Sequence, residues 1–292
     1  MRDDFCVFIL THGRARNVIT YKTLERQGYT GKLYIVIDNE DDQENEYRKI
    51  FGDKVLQFDK LEVAKTFDTM DLSEERRTIV YARNVCFDLA KQVGCRYFLE
   101  LDDDYVSFMH RSLVNGKLIG IDFTNLDETF EAMLEFLDAT QADTVAFAQG
   151  GDYIGGKDGG NFKKKVLRKV MNTFFCDTEK PFKFIGRINE DVNTYTRLGS
   201  TGWLGLTITD ACIVQKQTQT NSGGMSTVYN ESGTFLKSFY TVMIMPSAVV
   251  VADMGGSHRR IHHKVFWDRC VPKILNERYR KAGDGDGKKQ KG

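Results

Sequence analysis

The 292-residue sequence has no CxxC pair, no long apolar run, no net charge and no evident linker. Each absence closes off a class. Six cysteines (Cys6, Cys86, Cys95, Cys176, Cys212 and Cys270) share no spacing, which excludes a zinc ribbon and a disulfide framework and leaves them as small buried hydrophobes. No apolar run approaches the ~18 residues of a membrane span. The start, MRDDFCVFILTHGR, is acidic where a signal peptide is basic, so the chain reads as soluble and cytoplasmic. Neither GxxxxGK[ST] nor GxGxxG occurs, which removes the P-loop and the dinucleotide fingerprint. No internal repeat interrupts residues 1–282, which read as one continuous globule, while the low-complexity composition of Gly283–Gly292 predicts a disordered tail.

What is present is a core-forming composition, 41% hydrophobic and 12% aromatic, carrying a hidden charge asymmetry. The 41 basic and 41 acidic side chains divide unevenly: residues 1–150 hold 18 basic and 28 acidic, residues 151–292 hold 23 and 13. A basic second half is compatible with a polyanion, although two lobes attracting each other would give the same arithmetic.

Strand-like and helix-like segments alternate through the first half. Phe5–Leu10, Lys32–Asp38, Val55–Phe58 and Arg96–Leu101 read as strands. Helical patterns separate them, the longest running from an N-cap at Ser73 to about Val93, with Gly94 as its stop. This alternation predicts an α/β fold with a mainly parallel sheet flanked by helices. Asn115-Gly116 predicts a hairpin turn. Further on, Leu126–Ala139, Asn189–Leu198, Thr227–Met243 and Val265–Lys281 read as helices, Thr144–Ala148 and Ser247–Asp253 as buried strands, and Gly150–Gly160 as a loop.

The chemistry concentrates at strand ends. Asp102-Asp103-Asp104 follows an apolar strand, where open α/β sheets place their ligands. Asp102 and Asp104 project to one side of an extended chain and suit one hard divalent cation; a solvated acidic turn is the plainer alternative. Asp38 ends the second strand and suits a ribose hydroxyl or a base, whereas Asn39-Glu40-Asp41-Asp42 beside it looks like solvated loop. Thr11-His12-Gly13-Arg14 ends the first strand as a glycine-containing turn with an arginine, a reasonable anion or nucleotide cradle. Arg83 could neutralise a diphosphate or simply lie exposed on its helix. In Gly255–Lys264, His258 is a candidate third metal ligand, and Arg259 and Arg260 are candidate contacts for a diphosphate or a DNA backbone.

FILTHGRA, VID, ARN, LELDDD and NEDVNTYTRLGSTG together resemble a nucleotide-sugar glycosyltransferase of the GT-A fold, over roughly residues 5–205. The resemblance implies a DxD motif at Asp102–Asp104 holding Mg²⁺ or Mn²⁺ and a catalytic base at Glu190 or Asp191. It also implies a donor such as UDP-glucose on Thr11, His12, Gly13, Arg14, Asp38, Arg83, Asp102 and Asp103. Residues 1–125 would form the donor half and 126–282 the acceptor half. More specifically, HGRA, LDDDY and HHKVFW…NERYR are similar to the phage TET/JBP-associated, base J-type glycosyltransferases. That similarity implies a hydroxymethylated pyrimidine in DNA as acceptor, in the host cytoplasm. Lys163, Lys164, Lys165, Arg259 and Arg260 are the candidate DNA contacts, and Phe162, Phe174, Phe175 and Phe182 the candidates to stack on a flipped base. A saccharide acceptor, or a DNA-binding accessory protein without activity, are the rival readings.

Overall fold

The computed structural model describes residues 1–140, 142–159, 173–216, 226–254 and 260–271. Four strands lead the chain: β1 (Phe5–Leu10), β2 (Lys32–Asp38), β3 (Val55–Phe58) and β4 (Tyr97–Asp102). The helices between them are α1 (Ile19–Arg26), α2 (Glu44–Phe51), α3 (Lys60–Ala64) and α4 (Val80–Gln92). Then come β5 (Tyr105–Val114), β6 (Lys117–Asp122), α5 (Leu126–Thr140), β7 (Thr144–Ala148), β8 (Phe174–Asp177), α6 (Glu190–Gly199) and β9 (Gly205–Gln215). The last elements are α7 (Ser226–Ile244), β10 (Val249–Met254) and β11 (Arg260–Val265).

Nine strands form one sheet in the order β3-β2-β1-β4-β8-β7-β9-β5-β6. β3, β2, β1 and β4 run parallel, as their alternation with helices dictates, and β7 and β9 also pair in parallel. The remaining pairs are antiparallel. Every residue of β1 is buried, because helices cover both faces. Phe5, Val7 and Ile9 enter a core lined by α1, α2 and α5, while Cys6, Phe8 and Leu10 enter a second core under α4 and α6. All six cysteines are free and buried, as read from their spacing. The hairpin turn between β5 and β6 also stands, with Asn115 at φ 49 and Gly116 at φ 76.

Three elements differ from expectation. α4 begins at Val80: the Ser73 hydroxyl accepts from Glu75 N as a cap would, but residues 73–77 run on without helical structure. Val265 closes β11 instead of opening a helix: Val249 to Met254 pair antiparallel with Val265 to Arg260, and only a short 3₁₀ turn, Trp267–Arg269, follows. The rest of that expected helix lies outside the described residues. β10 is not buried throughout, because it pairs only with β11 in a separate two-stranded sheet and leaves Val250 and Val251 exposed.

Candidate active site

Strand order reverses between β1 and β4, the switch point of the parallel half, and a cavity opens there beyond the carboxyl ends of β1 to β4. Its walls include Thr11, His12, Arg14, Asp38, Lys60, Arg77 and all three residues of the acidic triplet.

The turn after β1 is built from side chains of three other segments. Gly13, at φ +66, is free of the steric cost another residue would meet there, and its N–H donates to Asp41 Oδ2 at 2.8 Å. Arg14 N–H donates to the Tyr47 hydroxyl at 2.8 Å, and the Thr11 hydroxyl donates to Asp103 Oδ2 at 2.7 Å. Arg14 Nη1 reaches Asp103 Oδ1 at 3.0 Å. Both Asp103 oxygens are therefore engaged in holding the turn. Asp103 is only 4% exposed, and burial pushes its carboxyl up against the opposing pull of Arg14.

Asp38 receives His12 Nδ1 at 2.8 Å and Lys60 Nζ at 2.9 Å. Burial works against its ionisation, but those two bonds outweigh it and hold the carboxyl below its ordinary value. The Asp38 bond in turn raises the His12 pKa above the usual imidazole value, against partial burial. Asp41, read from sequence as solvated loop, is 5% exposed: its two oxygens accept from Gly13 N and Gln43 N. The unbroken polar run from Asn39 to Glu46 concealed this. Lys60 was also missed, although it lies two residues beyond β3, near the strand end, where Asp38 was found on β2. Nothing in the spacing signals Tyr47.

The other side of the cavity is short of cations. Asp104 Oδ2 accepts from Gln215 Nε2 at 3.3 Å, while its Oδ1 is buried without a partner. Burial first, then the charges of Asp102 and Asp103, push the Asp104 carboxyl up to about 7. Asp102 is raised too, by burial and by Asp103 and Asp191, against the pull of Arg83. A divalent cation would relieve the repulsion here, and the residues fit one: two hard oxygen donors beside an open cavity. Among the described residues no group of three or more His, Cys, Asp and Glu side chains is set to hold a metal. The proposed third ligand, His258, lies outside them, as do Lys163, Lys164, Lys165 and Arg259; Arg260 opens β11.

Arg83 is placed otherwise than the sequence suggested. It is 1% exposed, and its guanidinium bonds Glu190 Oε1 at 3.0 Å, Asp102 Oδ1 at 2.9 Å and Glu100 Oε2 at 3.4 Å. Three carboxylates occupy the fork that a diphosphate would need. Burial raises Glu190 to about 7 and Glu100 to about 8 despite Arg83. Glu190 and Asp191 open α6 and neither lines the cavity, but Asp191 lies close enough to Asp102 to raise its pKa. Among the described residues Asp191 takes part in no side-chain hydrogen bond or ion pair. Phe174, Phe175 and Phe182 belong to the two cores, so they are not exposed for stacking; Phe162 lies outside the described residues.

The model of the TET-associated glycosyltransferases matches residues 5–224. The chain belongs to that family and is a glycosyltransferase, which bears out the resemblance to the TET-associated glycosyltransferases. A search of curated protein sequences gave no match. Among solved structures, Staphylococcus aureus TarS is 14% identical over 72% of this chain, with a TM-score of 0.44, and the chain spans 59% of that TarS fragment. Glucosyl-3-phosphoglycerate synthase from Mycobacterium tuberculosis, solved with Mg²⁺ and UDP, is 11% identical over 90% of this chain and 88% of its own, with a TM-score of 0.45. The same synthase was also solved with Mn²⁺, UDP-glucose and phosphoglyceric acid, and there the coverage is 88% and 86%. No described helix is long and apolar enough to cross a membrane.

Proposed function

We propose that the protein moves a sugar from a nucleotide-sugar donor, such as UDP-glucose, to the hydroxyl of a hydroxymethylated pyrimidine in DNA. The observation that carries the reading is the pair Asp102 and Asp104 at the open end of the parallel strands, with Asp104 Oδ1 buried and unpartnered. Asp102 and Asp104 would hold Mg²⁺ or Mn²⁺, because such ions are commonly bound by one or two carboxylates and complete their shell with substrate phosphates and water. When bound, the ion neutralises charge on the departing nucleoside diphosphate. The His12–Asp38–Lys60 group faces the same cavity with polar atoms suited to a ribose or base. Asp191 takes the proton of the acceptor hydroxyl as it attacks the anomeric carbon, an inverting displacement. Glu190 is the weaker candidate for this role, since Arg83 already engages it.

The DNA acceptor rests on the family's association with TET and on the basic second half, in which Lys163, Lys164, Lys165, Arg259 and Arg260 would meet phosphates. The reaction then takes place in the cytoplasm, that of the host cell if the gene is carried by a phage. The test is incubation with a panel of sugar nucleotides and DNA bearing 5-hydroxymethylcytosine or 5-hydroxymethyluracil, read by nucleoside mass spectrometry. A mass gain of one sugar on the modified base supports the reading. Donor turnover with saccharides and none with DNA would move the acceptor to that class.

A further inference from the structure

We infer that Arg83 is a positioning residue that commits Glu190 to anchoring and so reserves Asp191 for proton removal. The inference rests on the reading of Asp191 as the base. Arg83 joins three elements: it sits on α4, and its three bonds reach Glu100 and Asp102 of β4 and Glu190 of α6. The rings of Phe174 and Phe184 lie 5.3 and 5.8 Å from the guanidinium carbon, closing it away from solvent and from any diphosphate. A planar fork can satisfy partners in three directions at once, which a lysine ammonium on a flexible stem cannot reproduce.

The geometry of α6 makes this link directional. Successive helical residues point ~100° apart, so the direction taken by Glu190 fixes the direction of Asp191. The backbone just before them is pinned as well: Asn189 adopts φ 56, and its Nδ2 donates to Lys237 O at 2.6 Å and Thr241 Oγ1 at 3.0 Å on α7. With Asn189 held from one side and Glu190 from the other, the first turn of α6 has one rotational setting. Arg83 also takes Asp102 Oδ1, which sets the orientation of that carboxylate at the cavity.

Steady-state turnover of UDP-glucose with hydroxymethylcytosine-bearing DNA, read as UDP release, separates an anchor from a base. Glu190→Gln keeps an oxygen for Arg83 Nε, so kcat should fall by no more than ~3-fold, whereas a lost general base costs ~10²-fold or more. Glu190→Ala cuts the link and should lower kcat ~10–100-fold, the scale of a small misplacement of reacting groups, with donor KM within ~2-fold. Arg83→Lys should slow kcat at least as much as Glu190→Ala, since it also loosens Asp102, and the double variant should be no slower than Arg83→Lys alone, in which the link to Glu190 is already cut. A Glu190→Gln enzyme slowed ~10²-fold, or multiplicative losses in the double variant, would overturn the inference. If Arg83→Lys does not fold, the Gln-against-Ala contrast at Glu190 decides alone. A wild-type rate in Asp191→Asn would instead overturn the base assignment, a separate result from any at Arg83 or Glu190.

Discussion

The two sides of the cavity carry similar residues in opposite electrostatic states. On the side of β1 to β3, Asp38, Asp41 and Asp103 each accept hydrogen bonds from cations, hydroxyls or backbone N–H groups. On the β4 side, backed by the first turn of α6, Asp102 and Glu190 share the buried Arg83, Asp191 adds its charge against both, and an oxygen of Asp104 has no partner. Folding is served by the first arrangement and burdened by the second. A buried carboxyl without a partner either takes up a proton or is repaid from outside the chain, which is why we propose the poorly paired side as the place of binding and chemistry.

Removing the cation should give the largest effect: EDTA abolishes sugar transfer, and Mn²⁺ or Mg²⁺ restores it. Full turnover in EDTA would falsify the assignment of Asp102 and Asp104. Asp191→Asn comes next, with a ~10²–10⁴-fold slower single-turnover transfer and donor binding retained, as measured by nucleotide titration. On the well-paired side, Asp38→Asn should act on affinity, raising donor KM ~10-fold while kcat changes less, because it weakens bonds that shape the donor wall. A loss confined to kcat would move Asp38 into the chemistry.

The smallest effects concern stability and have opposite signs on the two sides. Asp104 titrates near 7 when folded and near its ordinary value when unfolded, so the metal-free native state binds the extra proton and loses stability as pH rises from about 4 to about 7. Asp104→Asn should therefore raise the melting temperature of EDTA-treated protein by a few degrees at pH 8 and hardly at all at pH 4, while losing metal-dependent activity. Thermal unfolding at both pH values checks this; an equal shift at both would mean packing, not charge. His12 shares the pH direction of Asp104 but not its mutational sign, because here the charged form is the paired one and replacing it costs stability. Its folded pKa is raised by Asp38, so its contribution is whole below ~6.5 and fades as pH rises through the folded value. His12→Ala should therefore cost most stability near pH 5 and less near pH 9.

The parallel half of the sheet and the cavity at its carboxyl end were legible, because alternating elements dictate strand direction and strand direction dictates at which end a crevice opens. Partners were not. Asp102, Asp103 and Asp104 are one unbroken acidic run in sequence, yet the middle carboxylate faces inward to Thr11 and Arg14. That depends on what lies 92 and 89 residues away. Arg83 reads as a surface helical arginine for the same reason: its carboxylates come from two other elements. The expected helix does not begin at Val265, because RIHHKV pairs with β10, a long-range pairing that its local pattern does not announce.

The acidic triplet is also a corner. It joins β4 to β5, strands four places apart in the sheet, with only Asp103 and Asp104 between them. Upstream the frame is set by Leu10 opposite Asp102, downstream by Tyr105 opposite Gln215. A change of length by a single residue at this corner exchanges inward and outward positions, sending the turn-holding carboxylate into the cavity and the ion-facing ones into the wall. In a library of one-residue insertions and deletions, this stretch should be as intolerant as the central strands themselves, while the Asn115-Gly116 hairpin tip, equally short, should accept extra residues with activity intact.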